Sequence, residues 1–229
     1  MNDMEITAIV CAYNEEKTIE KVVATVADYF FDEVFIVSDG STDNTDVILK
    51  RMSKYYSFQH IVLEENMGKG YAMATALQHA SKDIVVFIDA DLSNLQEGHF
   101  LKLITPIKNK EADMVLGQPT ETLVNYRVNP FKSFTGQRCL LRKDILPIVE
   151  KMKETRFGVE TLINLYFQSE GKKVKYVMLP GLIHPTKFGK TSSSKAMEEF
   201  IKEGHQIAVT ALENYNLVAK TLFKKIIRP

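Results

Sequence analysis

Residues 84–94, Ile-Val-Val-Phe-Ile-Asp-Ala-Asp-Leu-Ser-Asn, run five apolar residues into two carboxylates, Asp89 and Asp91. A short β-branched and aromatic run of this kind reads as a buried strand, and the two aspartates fall where it stops and turns into a loop. Both carboxylates then lie near one point, where mutual repulsion would raise a carboxyl pKa unless a cation stands between them. A hard divalent ion, Mg²⁺ or Mn²⁺, takes such oxygen ligands and keeps positions open for water or substrate phosphates, which points to a phosphorylated substrate. The competing reading is that one Asp caps the next segment and the other is solvated.

Working outward, short β-branched runs at residues 6–11, 34–38 and 60–64 precede this strand, and segments of helical periodicity separate them. Residues 18–30 place Ile19, Val22, Val23 and Val26 on one face; residues 45–52 and 71–80 behave likewise. Strands alternating with helices predict an α/β fold with a mostly parallel sheet and right-handed crossovers. Ligands of such sheets bind beyond the carboxyl ends of the strands. Tyr13, Asn14, Glu15, Asp39, Gly40 and the Asp89/Asp91 pair fall there.

Each strand end reads two ways. Asn14 and Glu15 suit a helix N-terminus as well as a ligand. In Ser38-Asp39-Gly40-Ser41-Thr42-Asp43, Gly40 supplies a turn and Asp43 a cap, whereas Asp39 has no evident capping role and is expected to accept hydrogen bonds from a base or ribose. Lys69, between Gly68 and Gly70, would bring an ammonium to a phosphate or base, or sit in a mobile turn.

A chain of 229 residues, 45% hydrophobic, can bury a full core. Its 29 basic and 29 acidic residues create no overall field for nucleic acid, so phosphate recognition must be local and no nucleic-acid partner is expected. Two cysteines, Cys11 and Cys139, an N-terminus without a signal-like pattern and no bilayer-length apolar run lead to the expectation of a reduced, cytoplasmic protein.

Four ordered segments, VCAYNEEKTIEKVV, VSDGSTDNT, ENMGKGYAMATAL and FIDADLSN, resemble the nucleotide-binding half of a family 2 glycosyltransferase with a Rossmann-like GT-A fold. The resemblance is strong over residues 5–117 and looser to 184. It implies a nucleotide-sugar donor, UDP more commonly than GDP, with Tyr13, Glu15, Asp39, Lys69, Asp89, Ala90 and Asp91 on the donor side. It also implies Mn²⁺ or Mg²⁺ on Asp89, Asp91 and His184, the histidine favouring manganese. Ser133–Leu140 resembles the acceptor loop of glucosyl-3-phosphoglycerate synthases, which implies an acceptor anion held by Gly136, Gln137 and Arg138; the alternative for Arg138 is a structural ion pair.

Glu160, opening a helix over 159–167, is either a first-turn dipole partner or an active-site carboxylate, and the resemblance favours the latter. Inverting members of the family often carry Asp after this Glu. Here Thr161 follows, so neither the general base nor the stereochemical outcome is specified. The expected organisation is one GT-A domain over 1–195, with a nucleotide-binding half to 117 and an acceptor half ending in the basic lid KFGKTSSSK at 187–195, followed by a helical tail over 196–229. The tail interleaves Leu217, Leu222, Phe223, Ile226 and Ile227 with Lys220, Lys224, Lys225 and Arg228, a pattern suited to an anionic membrane at its cytoplasmic face, to a homodimer, or to its own domain. The function expected is metal-dependent hexosyl transfer to an acceptor that the sequence does not name. The alternatives are a polyprenyl-phosphate hexosyltransferase and a nucleotide-sugar-binding regulator without turnover. A nucleotidylyltransferase is disfavoured because the first strand leads into AYNEEKT rather than a glycine-rich loop.

Overall fold

The computed structural model of the chain describes residues 4–119, 135–155, 158–183 and 208–227, with side chains of the last helix as far as Thr221. The strands are β1 (Ile6–Ala12), β2 (Glu33–Asp39), β3 (Gln59–Leu63), β4 (Ile84–Asp89), β5 (Met114–Pro119), β6 (Arg138–Leu141) and β7 (Val174–Leu179). They form one seven-stranded sheet in the order β3-β2-β1-β4-β6-β5-β7. Every neighbouring pair is parallel except those made by β6, which runs antiparallel to both β4 and β5. The mostly parallel sheet is as expected. Strand β6 is a correction, since the sequence of residues 133–140 reads as a loop.

The period of two along each strand divides two cores. Ile6, Ala8, Val10 and Ala12 of β1 and Ile84, Val86 and Ile88 of β4 face one side, under α1 (Ile19–Asp28), α2 (Thr45–Met52) and α4 (Glu97–Lys108). Ile9, Phe35, Val37, Val85, Phe87, Met114, Leu116 and Leu140 face the other, under α3 (Lys69–His79), α6 (Val149–Glu154) and α7 (Val159–Glu170). A four-residue helix, α5 (Arg142–Ile145), and a 3-10 turn (Leu146–Ile148) connect β6 to α6. Asp39 follows Phe35 and Val37 by the same alternation, and Asp89 follows Val85 and Phe87. Both carboxylates therefore belong to the face covered by α3 and α7.

Two glycines set where α3 starts and how it sits. Gly68 caps the helix at φ 96°, a left-handed backbone that suits glycine. Gly70, one residue into the helix, packs so closely on α6 that a Cβ there would overlap the carbonyl oxygens of Met152 and Thr155. The mobile turn that a Gly-Lys-Gly segment permits is replaced by a helix start fixed from both sides, and the helix begins at Lys69 rather than Tyr71.

The last helix, α8 (Tyr215–Ile227), lies on α7: Leu217 packs against the second core, and Lys220 Nζ is 2.6 Å from Glu170 Oε1. Its described side chains thus follow the own-domain reading of the tail. Among the described residues no helix is long and apolar enough to cross a membrane.

Helix propensity alone would have Gly70→Ala stabilise α3 by about 1 kcal/mol. The close approach of α6 reverses the sign, and a loss of roughly 1–3 kcal/mol is expected in urea titration followed by circular dichroism. A more stable variant would show that α6 does not press on α3.

Candidate functional site

The carboxyl ends of β1, β2 and β4 open onto a cavity of about 610 Å³ lined by Cys11, Ala12, Tyr13, Glu15, Asp39, Asn66, Gly68, Lys69, Ala72, Asp89, Ala90 and Asp91. All seven residues expected on the donor side are in it. Asn66 carries no signal of its own in the sequence, although it lies within the ENMGKG segment; its place on the wall follows from the turn between β3 and α3.

The first two βα loops are latched to each other. Asn14, at φ 56°, accepts the Thr42 backbone N–H on Oδ1 at 2.8 Å, and Glu15 N–H donates to Thr45 Oγ1 at 2.9 Å. Asp43 accepts the amides of Glu16 at 3.0 Å and Thr45 at 2.9 Å, which holds its pKa down despite the opposing effect of burial. Its capping role is as expected, extended to the neighbouring loop. Asp39 differs from expectation in that it caps as well. Its two oxygens accept the amides of Met67 at 2.8 Å and Gly68 at 2.9 Å, at the entrance to α3. It shapes the cavity wall as well as facing the cavity.

The centre of the site is an ammonium between two carboxylates. Lys69 Nζ donates to Asp89 Oδ1 at 2.6 Å and is 2.7 Å from Glu160 Oε1 on the first turn of α7. Burial opposes the charge on Lys69, but Asp89 and Glu160 outweigh it and raise its pKa above the ordinary lysine value. Burial likewise opposes ionisation of Glu160, and Lys69 with Arg138 outweighs that, so its pKa is lowered. The cation that the Asp89/Asp91 pair was expected to require is thus supplied in part by the chain itself.

Asp89 is fixed from its other side by the segment expected to bind an acceptor. Gln137 Nε2 donates to Asp89 Oδ2 at 2.7 Å, and Thr135 Oγ1 lies 2.6 Å from Gln137 Oε1, which orients the amide. Gly136 abuts the Asp89 carboxylate so tightly that a Cβ would overlap it. Arg138 is 0% exposed on β6, with its Nη2 donating to the Thr135 carbonyl at 2.7 Å. Burial lowers its pKa against the pull of Glu160 and Asp89. Among the described residues its Nε and Nη1 have no hydrogen-bond partner. In this arrangement Gly136, Gln137 and Arg138, expected to hold an acceptor anion, are buried behind Asp89. The Arg138 charge acts on Glu160 through space, and the guanidinium's one hydrogen bond among the described residues goes to the Thr135 carbonyl.

The loop that follows Asp91 is held by contacts of its own. Ser93 and Ile183 exchange backbone hydrogen bonds of 2.9 and 3.0 Å, and Asn94 Nδ2 donates to the Gly181 carbonyl at 2.7 Å. His99, buried and unremarkable in the sequence, accepts the Gln96 amide on Nδ1 at 3.2 Å, and its Nε2 lies 3.0 Å from the Pro180 carbonyl, an arrangement met by the neutral Nε2–H tautomer. These contacts join the loop after β4 to the loop after β7. Ala90 turns its methyl into the first core. His184 and the lid at 187–195 lie outside the described residues. Burial, the largest effect, pushes the Cys11 thiol up to about 12, so it is a neutral wall residue and no nucleophile.

Among the described residues no three His, Cys, Asp or Glu side chains converge on a metal position. The chemistry of the cavity nonetheless suits a hard cation. Among the described residues four carboxylates, Glu15, Asp39, Asp89 and Asp91, line it against the one ammonium of Lys69. A diphosphate entering such a wall is repelled unless a divalent ion accompanies it, and ions of the Mg²⁺ type use one or two carboxylates plus substrate phosphates.

The sequence profile of Glycosyl transferase family 2 matches residues 7–168. The chain is 32% identical over 155 residues to UDP-N-acetylglucosamine--dolichyl-phosphate N-acetylglucosaminyltransferase of Methanococcus voltae, covering 59% of this chain and 60% of that protein. It is 31% identical over 116 residues to poly-beta-1,6-N-acetyl-D-glucosamine synthase of Staphylococcus epidermidis, covering 50% and 28%. It therefore spans less than two thirds of the length of these curated relatives. Glucosyl-3-phosphoglycerate synthase from Mycobacterium tuberculosis, solved with Mn²⁺, uridine diphosphate and glucosyl-3-phosphoglycerate, superposes with a TM-score of 0.70 at 22% identity, covering 92% of this chain and 79% of that one. Its complex with Mg²⁺ and uridine diphosphate gives 0.69 at 23%, with the same coverage. At these identities the likeness establishes the GT-A fold.

Lys69→Met leaves Asp89 and Glu160 facing each other. A broken buried pair costs about 3–5 kcal/mol. Lys69 is 36% exposed at its side chain, so solvent screening reduces the expected loss at neutral pH to roughly 2 kcal/mol. In the wild type Glu160 has a depressed pKa, so its stabilisation is present above the unfolded value of 4.5 and lost as pH falls through the folded one. In the variant like-charge repulsion raises the carboxyl pKa values, and protonation relieves it. The stability gap is therefore expected to narrow as pH is lowered through 4.5, and a gap constant with pH in thermal melts would count against the charged cluster.

Proposed function

The chain belongs to glycosyl transferase family 2, and from that membership we propose that it transfers a hexose from a UDP-sugar, with a divalent metal, to an acceptor. The observation that carries the reading is the cavity at the ends of β1, β2 and β4, which Tyr13, Asp39, Lys69, Asp89 and Asp91 line together. That the structural neighbours were solved with uridine diphosphate and Mn²⁺ or Mg²⁺ supports the choice of donor. The two N-acetylglucosaminyl relatives support a nucleotide sugar more generally.

Asp91 would hold the metal. His184 is retained as a further ligand. A bound metal supplies charge neutralisation for the leaving nucleoside diphosphate. The chain's residues do the rest. Tyr13, 45% exposed at the mouth, offers a ring face to the base. Asp39 holds the Met67-Gly68 turn, which fixes the start of α3 and with it Lys69. Asp89 keeps a carboxylate at the ribose side in a defined rotamer, clamped between Lys69, Gln137 and Gly136. With the loops prearranged, bringing acceptor and anomeric carbon together is the main work of the site.

The test is isothermal titration of UDP and of GDP into the wild type and Asp91→Asn, each with Mn²⁺ and with EDTA. Expected are metal-dependent binding of UDP and a loss of at least roughly 100-fold in the variant. Equal UDP binding in EDTA, or an unaffected Asp91→Asn, would overturn the metal role. Preference for GDP would change the donor and leave the transferase reading in place.

A further inference from the structure

Lys69 and Glu160 belong to different halves of the molecule. Lys69 is the first residue of α3, in the nucleotide-binding half, and Glu160 lies in the first turn of α7, after the antiparallel strand. An ammonium has three N–H donors. Two are directed at Asp89 Oδ1 and Glu160 Oε1, at 2.6 and 2.7 Å. Tetrahedral geometry then leaves one direction for the third, and the Lys69 side chain lines the cavity. With Asp89 as sole anchor, the ammonium would rotate about that one hydrogen bond and sweep its other two hydrogens over a cone. The second carboxylate removes this freedom.

Glu160 is poorly suited to take a proton from an acceptor. It is held as a carboxylate by Lys69 and by the buried Arg138, and its pKa lies below the ordinary value, so it is a weak base. What the same contacts do make it is a strut. We infer that Glu160 is a positioning residue of the donor site, which reaches across from the acceptor half to aim the remaining Lys69 N–H into the cavity. Because two carboxylates already offset the charge of Lys69, this donor suits an uncharged oxygen, such as a base carbonyl or a ribose or sugar hydroxyl, better than a phosphate. The inference rests on the donor reading above.

The experiment compares wild type, Glu160→Gln, Lys69→Met and the double variant, with two readouts: UDP affinity by titration calorimetry in Mn²⁺, and the rate at which acetic anhydride acetylates Lys69, followed by mass spectrometry. Glu160→Gln keeps an oxygen beside Lys69 but loses the charge. It is expected to weaken UDP binding roughly tenfold and to speed Lys69 acetylation, since the amine loses one of the two carboxylates that hold it. In the Lys69→Met background the same substitution is expected to change affinity by less than about twofold, because Glu160 then has nothing to aim. An equal loss with and without Lys69 would show that Glu160 touches the ligand directly, and overturns the inference. So do unchanged affinity and unchanged acetylation together. If the wild type binds no UDP, the donor reading fails and acetylation alone decides: a rate unaltered by Glu160→Gln overturns the hold on Lys69, and a faster one upholds it. Should Glu160→Gln not fold, Glu160→Asp keeps the charge and shortens the reach; the same shifts are expected there, and wild-type values of both readouts overturn the inference.

Discussion

The Lys69 ammonium stands between Asp89 and Glu160, and the neighbouring parts of the site are arranged around that contact. Carboxylates this well covered are costly to desolvate, and a cation in hydrogen-bond reach offsets that cost. Arg138, fully buried on β6, completes a group of two anions and two cations. Such buried networks add little net stability compared with apolar packing of the same volume. Their effect is geometric: three elements, the end of β4, the start of α3 and the start of α7, are held at fixed separations at the mouth of the sheet.

The period of two along the strands delivers these groups to one place. Because Asp39 and Asp89 each follow alternate residues of the second core, they share a face with α3 and α7. A one-residue shift of either strand would turn its carboxylate toward α1 and α4 instead. The glycines do complementary work. Gly70 lets α3 lie against α6, and Gly136 lets the chain pass directly over the Asp89 carboxylate. Larger residues at either point would move one end of the Lys69 contact.

The parts of this arrangement that are local in sequence are legible in it. The buried run of β4, the helical stripe of α1 and the turn chemistry of 38–43 each carry their own signal, and together they place the cavity at the correct strand ends. What the sequence does not disclose depends on long-range contact. Strand β6 has only four residues, and its ladder partners β4 and β5 are both distant, so RCLL after Thr-Gly-Gln reads as loop. Gly136 looks like an anion-binding amide because nothing in its neighbours announces the Asp89 side chain beside it. Asp39 looks idle because the amides it caps lie beyond the next helix and strand. The strand-end carboxylates call for a cation, which points to a metal, but periodicity cannot show that a lysine one helix away supplies part of that charge.

The division between the two aspartates follows from the same geometry. Asp89 is the last strand residue, so the sheet dictates its direction and the chain neutralises it. Ala90 is buried in the opposite core. Asp91 has left the ladder, two residues before the Ser93–Ile183 bridge that joins the loops after β4 and β7. One carboxylate is therefore bound tightly within the protein's own charge balance. The other lies on a predominantly acidic wall, where a diphosphate and a divalent ion, if they bind as proposed, would each make the other's presence favourable. Coupling of that kind would be reciprocal, because whatever one ligand gains from the other is gained equally in return.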